Sequence, residues 1–126
     1  MVIRSAEALW EGNLKDGKGK MKLGSGLFDG PYSFATRFEH APGTNPEELI
    51  AAGHAGCFTM ALSAQLTGAG LTPDTISTSA ALTLEMVEKS WTVTKIHLEV
   101  TARVPGASNE TFQKLRTHRK LSREAH

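Results

Sequence analysis

Apolar residues are sparse over the first 38 positions and roughly alternate between glycine and charge clusters, a pattern that predicts an antiparallel β-meander. Ala6, Ala8 and Trp10 fall on one face. The stretch from Gly12 to Lys20 reads as a hairpin loop, because Asp16-Gly17 is a strong turn dipeptide and the lysines keep it solvated. A second turn is expected at Asp29-Gly30-Pro31. Beyond it Tyr32, Phe34 and Phe38 alternate with Ser33, Ala35, Arg37 and Glu39, the period of a half-buried strand, so Arg37 is expected to face away from the aromatic side chains.

The period changes after a loop from His40 to Thr44. Asn45 can cap a helix, Pro46 suits its first turn, and Glu47 and Glu48 place negative charge at the positive end of the dipole. This helix is predicted to run to about Thr67 and to stop at Gly68-Ala69-Gly70. Its middle, AAGHAGC, contains two glycines, each costing about 1 kcal/mol against alanine, which predicts a buried helix closely approached by another, including its own symmetry mate. From Thr75 to Val104 the alternation of strands returns, with a tight hairpin at Glu88-Lys89-Ser90. In the second of these strands Thr94, Ile96, Leu98 and Val100 form the expected core face, against Val93, Lys95, His97 and Glu99. Pro105-Gly106 ends it, and a last helix is expected from Ser108, with Phe112 and Leu115 turned inward.

Composition narrows the class. A chain of 126 residues with 40% hydrophobic and 21% charged residues is that of one globular domain, 1–126. A net charge of +1 gives no summed field for phosphate backbones or anionic membranes, so neither nucleic acid nor a membrane is expected as a partner. The N-terminal sequence lacks the apolar core of a signal peptide, and no run approaches the roughly 18 consecutive apolar residues of a membrane span, so a soluble, cytoplasmic protein is expected. One cysteine excludes an internal disulfide, a CxxC pair and any cysteine-rich metal cluster within this sequence, and no metal or other cofactor is expected. Five of the fourteen Lys and Arg residues crowd into the last dozen or so positions, counting Lys114, which reads as a solvated end rather than a binding tail.

Chemistry could rest on Cys57, inside the predicted long helix. A small buried hydrophobe is the plain alternative, since reactivity needs a thiolate and a nearby cation or dipole to favour it. His54 lies three residues earlier on the same helical face and Arg37 lies outside the helix, where it could equally be an exposed partner of Glu39. Glu47 is ten residues before Cys57, about 15 Å along a helix axis and about 80° around it, too far for contact within one chain. By spacing alone these residues are separate observations.

The run Pro31-Tyr-Ser-Phe-Ala-Thr-Arg37-Phe-Glu and the segment Gly43-Thr-Asn-Pro-Glu47-Glu-Leu-Ile-Ala-Ala-Gly-His-Ala-Gly-Cys57-Phe-Thr-Met-Ala-Leu strongly resemble the OsmC/Ohr family of thiol peroxidases. The opening Ala-Leu-Trp10-Glu-Gly, the Gly70-Leu-Thr-Pro-Asp linker, the Val93-Thr-Lys-Ile-His-Leu strand and Val104-Pro-Gly extend the resemblance from Met1 to about Lys114. It implies an α+β fold in which two chains intertwine as a homodimer, their antiparallel sheets wrapping central helices, with active sites at the dimer interface. Cys57 of one chain would then meet Arg37 and Glu47 of the other. Cys57 would be the peroxidatic cysteine, Arg37 would favour its thiolate and offset charge on the peroxide oxygens, and Glu47 would hold the guanidinium. Phe34, Phe58 and Met60 would wall the substrate site, suiting organic hydroperoxides, while His54 would be structural.

The family also carries a second cysteine in a Cys-Pro-Val-Ser motif on its last helix, followed by a final strand. Neither is present here, and residues 115–126 depart from the pattern, as an altered coding frame or a remodelled chain near residue 115 would produce. The resemblance thus implies thiol-dependent reduction of organic hydroperoxides in stress defence, with recycling left to an external thiol and turnover impaired. The alternative is a non-catalytic stress or redox-sensing dimer that keeps the fold and binds apolar ligands.

Overall fold

The computed structural model describes residues 1–106 and the backbone of residues 123–124. It divides into two compact units, residues 1–49 and the residues from 50 onward.

In the first unit, β1 (Ala6–Glu11), β2 (Lys18–Leu23) and β3 (Asp29–Tyr32) form an antiparallel sheet in that order. The β1–β2 hairpin is present as expected, but its loop ends at Gly17, since Lys18 to Lys20 already belong to β2, and it is pinned: Asn13 Oδ1 accepts from the Asp16 amide at 2.8 Å, the Gly17 amide donates to Asn13 O at 2.9 Å, and Trp10 Nε1 donates to Gly12 O at 3.2 Å. Opposite Trp10 in the register, and opposite Tyr32 across the other ladder, stands Gly19. A Cβ there would come within 2.5 Å of the Trp10 ring and 2.7 Å of the Tyr32 ring, so only glycine lets these two rings close over β2 with their centroids 5.5 Å apart.

Two expectations fail in this unit. Asp29-Gly30-Pro31 is not a turn but lies within β3; the chain reverses earlier, at Gly24 to Leu27, where Gly26 takes φ +80°. Pro31 is tolerated because β3 is an edge strand, where a missing N–H is harmless. Nor do Phe34 and Phe38 sit on a strand. They belong to α1 (Phe34–Phe38), because Ser33 and Thr36 close a capping box: Thr36 N donates to Ser33 Oγ at 3.2 Å and Ser33 N to Thr36 Oγ1 at 2.9 Å. At helical spacing the two phenylalanines share a face, and Arg37 turns toward them rather than away.

The long helix α2 (Pro46–Gly68) begins and ends as its sequence dictates. Asn45 Oδ1 accepts from the Glu48 amide at 2.7 Å. At the other end the Leu71 amide reaches Leu66 O at 2.9 Å and the Gly70 amide reaches Thr67 O at 3.0 Å, the paired bonds of a Schellman stop with Gly70 at φ +80°. By length and average composition alone α2 is apolar enough to cross a membrane, because of its many alanines, although Glu47, Glu48, His54 and Gln65 break it short of an unbroken apolar span.

In the second unit β4 (Thr75–Val87) and β5 (Ser90–Arg103) form a long antiparallel hairpin whose turn places Glu88 at φ 48° and Lys89 at φ 69°. A two-residue strand, β6 (Arg123–Glu124), pairs with Thr92 and Val93 of β5. Val93, Ile96 and Leu98 are the buried cluster, packed by Phe58, Ala80, Leu82 and Leu84. Ile96 and Leu98 are on the expected face. Val93 corrects the expectation: Leu84 pairs with Val93 while Thr83 pairs with Lys95, so Thr94 is an extra residue and the bulge reverses the alternation. Leu62 and Leu66 continue the helical face of Phe58 at four-residue steps and are buried. Elsewhere on α2, Ile50, Gly53, Gly56, Cys57 and Met60 are exposed in the single chain, leaving open the face where approach of a second helix is expected. Phe112 and Leu115 lie outside the described residues.

Candidate active site

Arg37 and Glu47 are brought together by the short connection between α1 and α2. Arg37 sits in the last turn of α1 and Glu47 in the first turn of α2. Asn45, besides capping α2, donates through Nδ2 to Thr36 O at 2.9 Å, fastening the start of one helix to the end of the other. The result is a fork: Arg37 Nε donates to Glu47 Oε1 at 2.9 Å and Oε2 at 3.1 Å, and Nη2 donates to Oε2 at 2.9 Å. Glu47 is 8% exposed, a buried carboxylate tolerable because a guanidinium and the helix N-terminus both stabilise its charge. The plain alternative, a pair between Arg37 and Glu39, does not form; Glu39 caps the end of α1.

A face of the guanidinium covers an aromatic ring. Arg37 Cζ stands 4.8 Å from the centroid of Phe38, whose ring is 5.0 Å from that of Phe34. Phe38 is the residue that sequence reasoning missed; the Ser33-x-x-Thr36 spacing was the available signal, since a helix starting there places residues 34 and 38 one turn apart. Such an arginine is held in plane by its carboxylate and in depth by the ring, and keeps Nη1 outside the fork.

The second unit holds the remaining candidates. Cys57 lies exposed on α2, with a free thiol. His54, one turn earlier, is half-buried. Phe58 is half-buried against the Val93, Ile96 and Leu98 cluster, and Met60 is 77% exposed at a groove of about 590 Å³ that it shares with Thr59, Ser63 and Ile76. Thr59 Oγ1 donates to Ala55 O at 2.7 Å and lies 2.6 Å from Thr78 Oγ1, which ties this part of the helix to β4. Among the described residues no group of three His, Cys, Asp or Glu side chains is placed to hold a metal ion.

Two antiparallel sheets, a long helix bearing a solvent-facing thiol and an arginine locked by a buried carboxylate define an α+β protein with the residue set of thiol chemistry. A family described as OsmC-like protein matches residues 39–120. Peroxiredoxin OsmC of Escherichia coli strain K12 is 48% identical over 112 residues, covering 88% of this chain and 78% of that protein, and Peroxiredoxin OsmC of Shigella flexneri matches equally. The chain belongs to the OsmC family. Among solved structures, the organic hydroperoxide resistance protein OhrB of Bacillus subtilis superposes with a TM-score of 0.61 at 24% identity, covering 88% of this chain and 79% of that one. An OsmC-like protein of unknown function from Vibrio cholerae reaches 0.66 at 19% identity, covering 91% and 83%, so the fold is shared.

Proposed function

We propose that the protein is a thiol-dependent peroxidase that reduces organic hydroperoxides in stress defence. The observation that carries the reading is the Arg37–Glu47 fork, because a buried carboxylate orienting a guanidinium beside apolar rings is suited to charge that develops on a peroxide. The names of the relatives support it: the 48% identical proteins are peroxiredoxins.

In this reading the whole chain, 1–126, is one OsmC-like domain that functions as an intertwined homodimer in the cytoplasm, and the fork of one chain serves Cys57 of its partner. The Cys57 thiolate attacks one peroxide oxygen. A sulfur–oxygen bond forms, the O–O bond breaks, and the second oxygen leaves as an alkoxide that takes up a proton, giving an alcohol and a sulfenic acid. Arg37 stabilises the thiolate and the charge on the departing oxygen; Glu47 keeps the guanidinium aimed and transfers no proton. Phe34, Phe58 and Met60 provide the apolar wall. No prosthetic group takes part. The sequence has one cysteine, so an external thiol condenses with the sulfenic acid, releasing water, and a second thiol frees Cys57 as the mixed disulfide is reduced. That dependence slows turnover.

The test mixes pre-reduced protein with excess cumene hydroperoxide and follows peroxide loss with and without dithiothreitol, with intact-mass measurement of the product. One equivalent consumed without thiol, sustained consumption with it, and one oxygen gained at Cys57 are expected, all abolished in Cys57→Ser. Absence of any consumption defeats the peroxidase reading and leaves the non-catalytic, apolar-ligand-binding dimer.

A further inference from the structure

The first unit carries a second cation on the aromatic pair, over the other ring from Arg37. Lys15 Nζ lies over the Phe34 ring, 5.9 Å from its centroid, while Arg37 Cζ lies 4.8 Å from the Phe38 centroid and the two rings are 5.0 Å apart. Laid end to end, these separations put the two cations at most about 16 Å apart, each over one ring of the pair. The cations differ in one respect. Arg37 is committed to Glu47, whereas Lys15 makes no ion pair among the described residues and is exposed.

Its position is not that of a lysine on a loose loop. The bonds of Asn13 to Asp16 and Gly17, and of Trp10 to Gly12, fix the turn that carries it, and a Cβ at Gly17 would meet Asn13 O at 2.4 Å, so the chain packs tightly beneath Lys15. Stacking on Phe34 alone is a weak attraction for an exposed ammonium, and it leaves the three donors of the head group turned to water. A free ammonium at the rim of an apolar surface favours an amphiphile whose negative group reaches the rim while its hydrocarbon covers the rings.

We propose that Lys15 is a specificity-determining residue that favours hydroperoxides carrying a carboxylate remote from the O–O bond over their neutral counterparts. The hydrocarbon lies on Phe34 and Phe38, the peroxide end is presented toward Arg37, and the carboxylate meets Lys15. This rests on the peroxidase reading above and adds to it a preference among organic hydroperoxides.

The test compares an ω-carboxyalkyl hydroperoxide with its methyl ester, measuring the second-order rate constant for oxidation of the pre-reduced protein in a single turnover, without added thiol. The readout is the acid-to-ester ratio for the wild type, Lys15→Arg, Lys15→Gln and Lys15→Glu. An exposed ion pair contributes modestly, so the ratio is expected to fall about three- to fivefold in Lys15→Gln, further in Lys15→Glu, and to hold in Lys15→Arg. In the wild type it should also decline as salt is raised. A lysine that merely braces the loop would scale both rates together, and an unchanged ratio across the four proteins overturns the inference while the ester reaction leaves the peroxidase reading standing. If the wild type consumes neither compound, the peroxidase reading fails and this inference with it.

Discussion

The fork between Arg37 and Glu47 makes a quantitative demand on stability. The Nε proton is shared between both carboxylate oxygens and Nη2 donates to one, so two charge-assisted bonds are at stake, each worth about 1.5–3 kcal/mol when a charged group takes part. Breaking a fully buried pair from one side costs about 3–5 kcal/mol. The Arg37 side chain is 23% exposed and recovers some hydration, so Glu47→Ala should destabilise the chain by about 2–3 kcal/mol. Glu47→Gln keeps one acceptor and should cost about 1–2 kcal/mol. Part of either loss is the charge at the helix N-terminus, about 0.3–1 kcal/mol, and owes nothing to arginine. A double-mutant cycle of Glu47→Gln with Arg37→Met removes that part, because it is present on both sides of the cycle. Urea denaturation at one fixed protein concentration, which holds any association constant, should give a coupling of about 1 kcal/mol. A coupling under about 0.5 kcal/mol would refute the view that Glu47 immobilises the guanidinium, and would remove the reason given for its place in the reaction.

Further outcomes follow from other parts of the fold. Ile96 is fully buried in the β4–β5 cluster, and Ile96→Ala should cost about 3–4 kcal/mol in the same denaturation experiment. Gly19→Ala would drive a methyl group into the Trp10 and Tyr32 rings, and should cost about 1–3 kcal/mol with a change in the near-ultraviolet dichroism of the tryptophan. Glu88→Asn with Lys89→Gly, which suits both residues to their left-handed backbone, should raise stability by about 1 kcal/mol. A Cβ at Gly53 or Gly56 meets nothing among the described residues, so Gly53→Ala with Gly56→Ala should stabilise an isolated chain by up to about 1 kcal/mol per site. If α2 is closely packed against a second copy, as proposed, analytical ultracentrifugation should instead show weakened association.

The elements that the sequence made legible are those set by local chemistry. The cap at Asn45 and the Gly70 stop declare themselves, and the strands from Thr75 to Val104 alternate plainly. What escaped depended on reading a competing local signal or on pairing across the sheet. Tyr32, Phe34 and Phe38 satisfy a period of two, yet two hydroxyls three residues apart, at Ser33 and Thr36, start a helix, and the same residues then fit a period near four. Five residues are too few for hydrophobic periodicity to separate the two. The bulge at Thr94 is likewise invisible in β5 alone, because it exists only in the register against Thr83 and Leu84, and it moved Val93 into the core. The candidate site was legible as residue types, through the family resemblance, but not as geometry: nothing in the spacing from Arg37 to Glu47 discloses that Asn45 ties the two helices end to end.

The long helix makes the same point about energetics. Phe58, Leu62 and Leu66 account for one narrow face of α2, and its burial needs no more than three large side chains. Gly53 and Gly56 of AAGHAGC meet nothing among the described residues, although each gives up about 1 kcal/mol of helix propensity, and Cys57 beside them stands open to solvent. A sequence that keeps two such glycines beside its one cysteine, on a helix apolar enough to satisfy a membrane criterion, is spending stability on a face that the isolated chain leaves wet. That deficit favours the proposed homodimer independently of the family resemblance, since the packing of a second helix would offset it where no contact among the described residues does. Among the described residues the thiol is likewise left exposed, open to a partner chain or a peroxide.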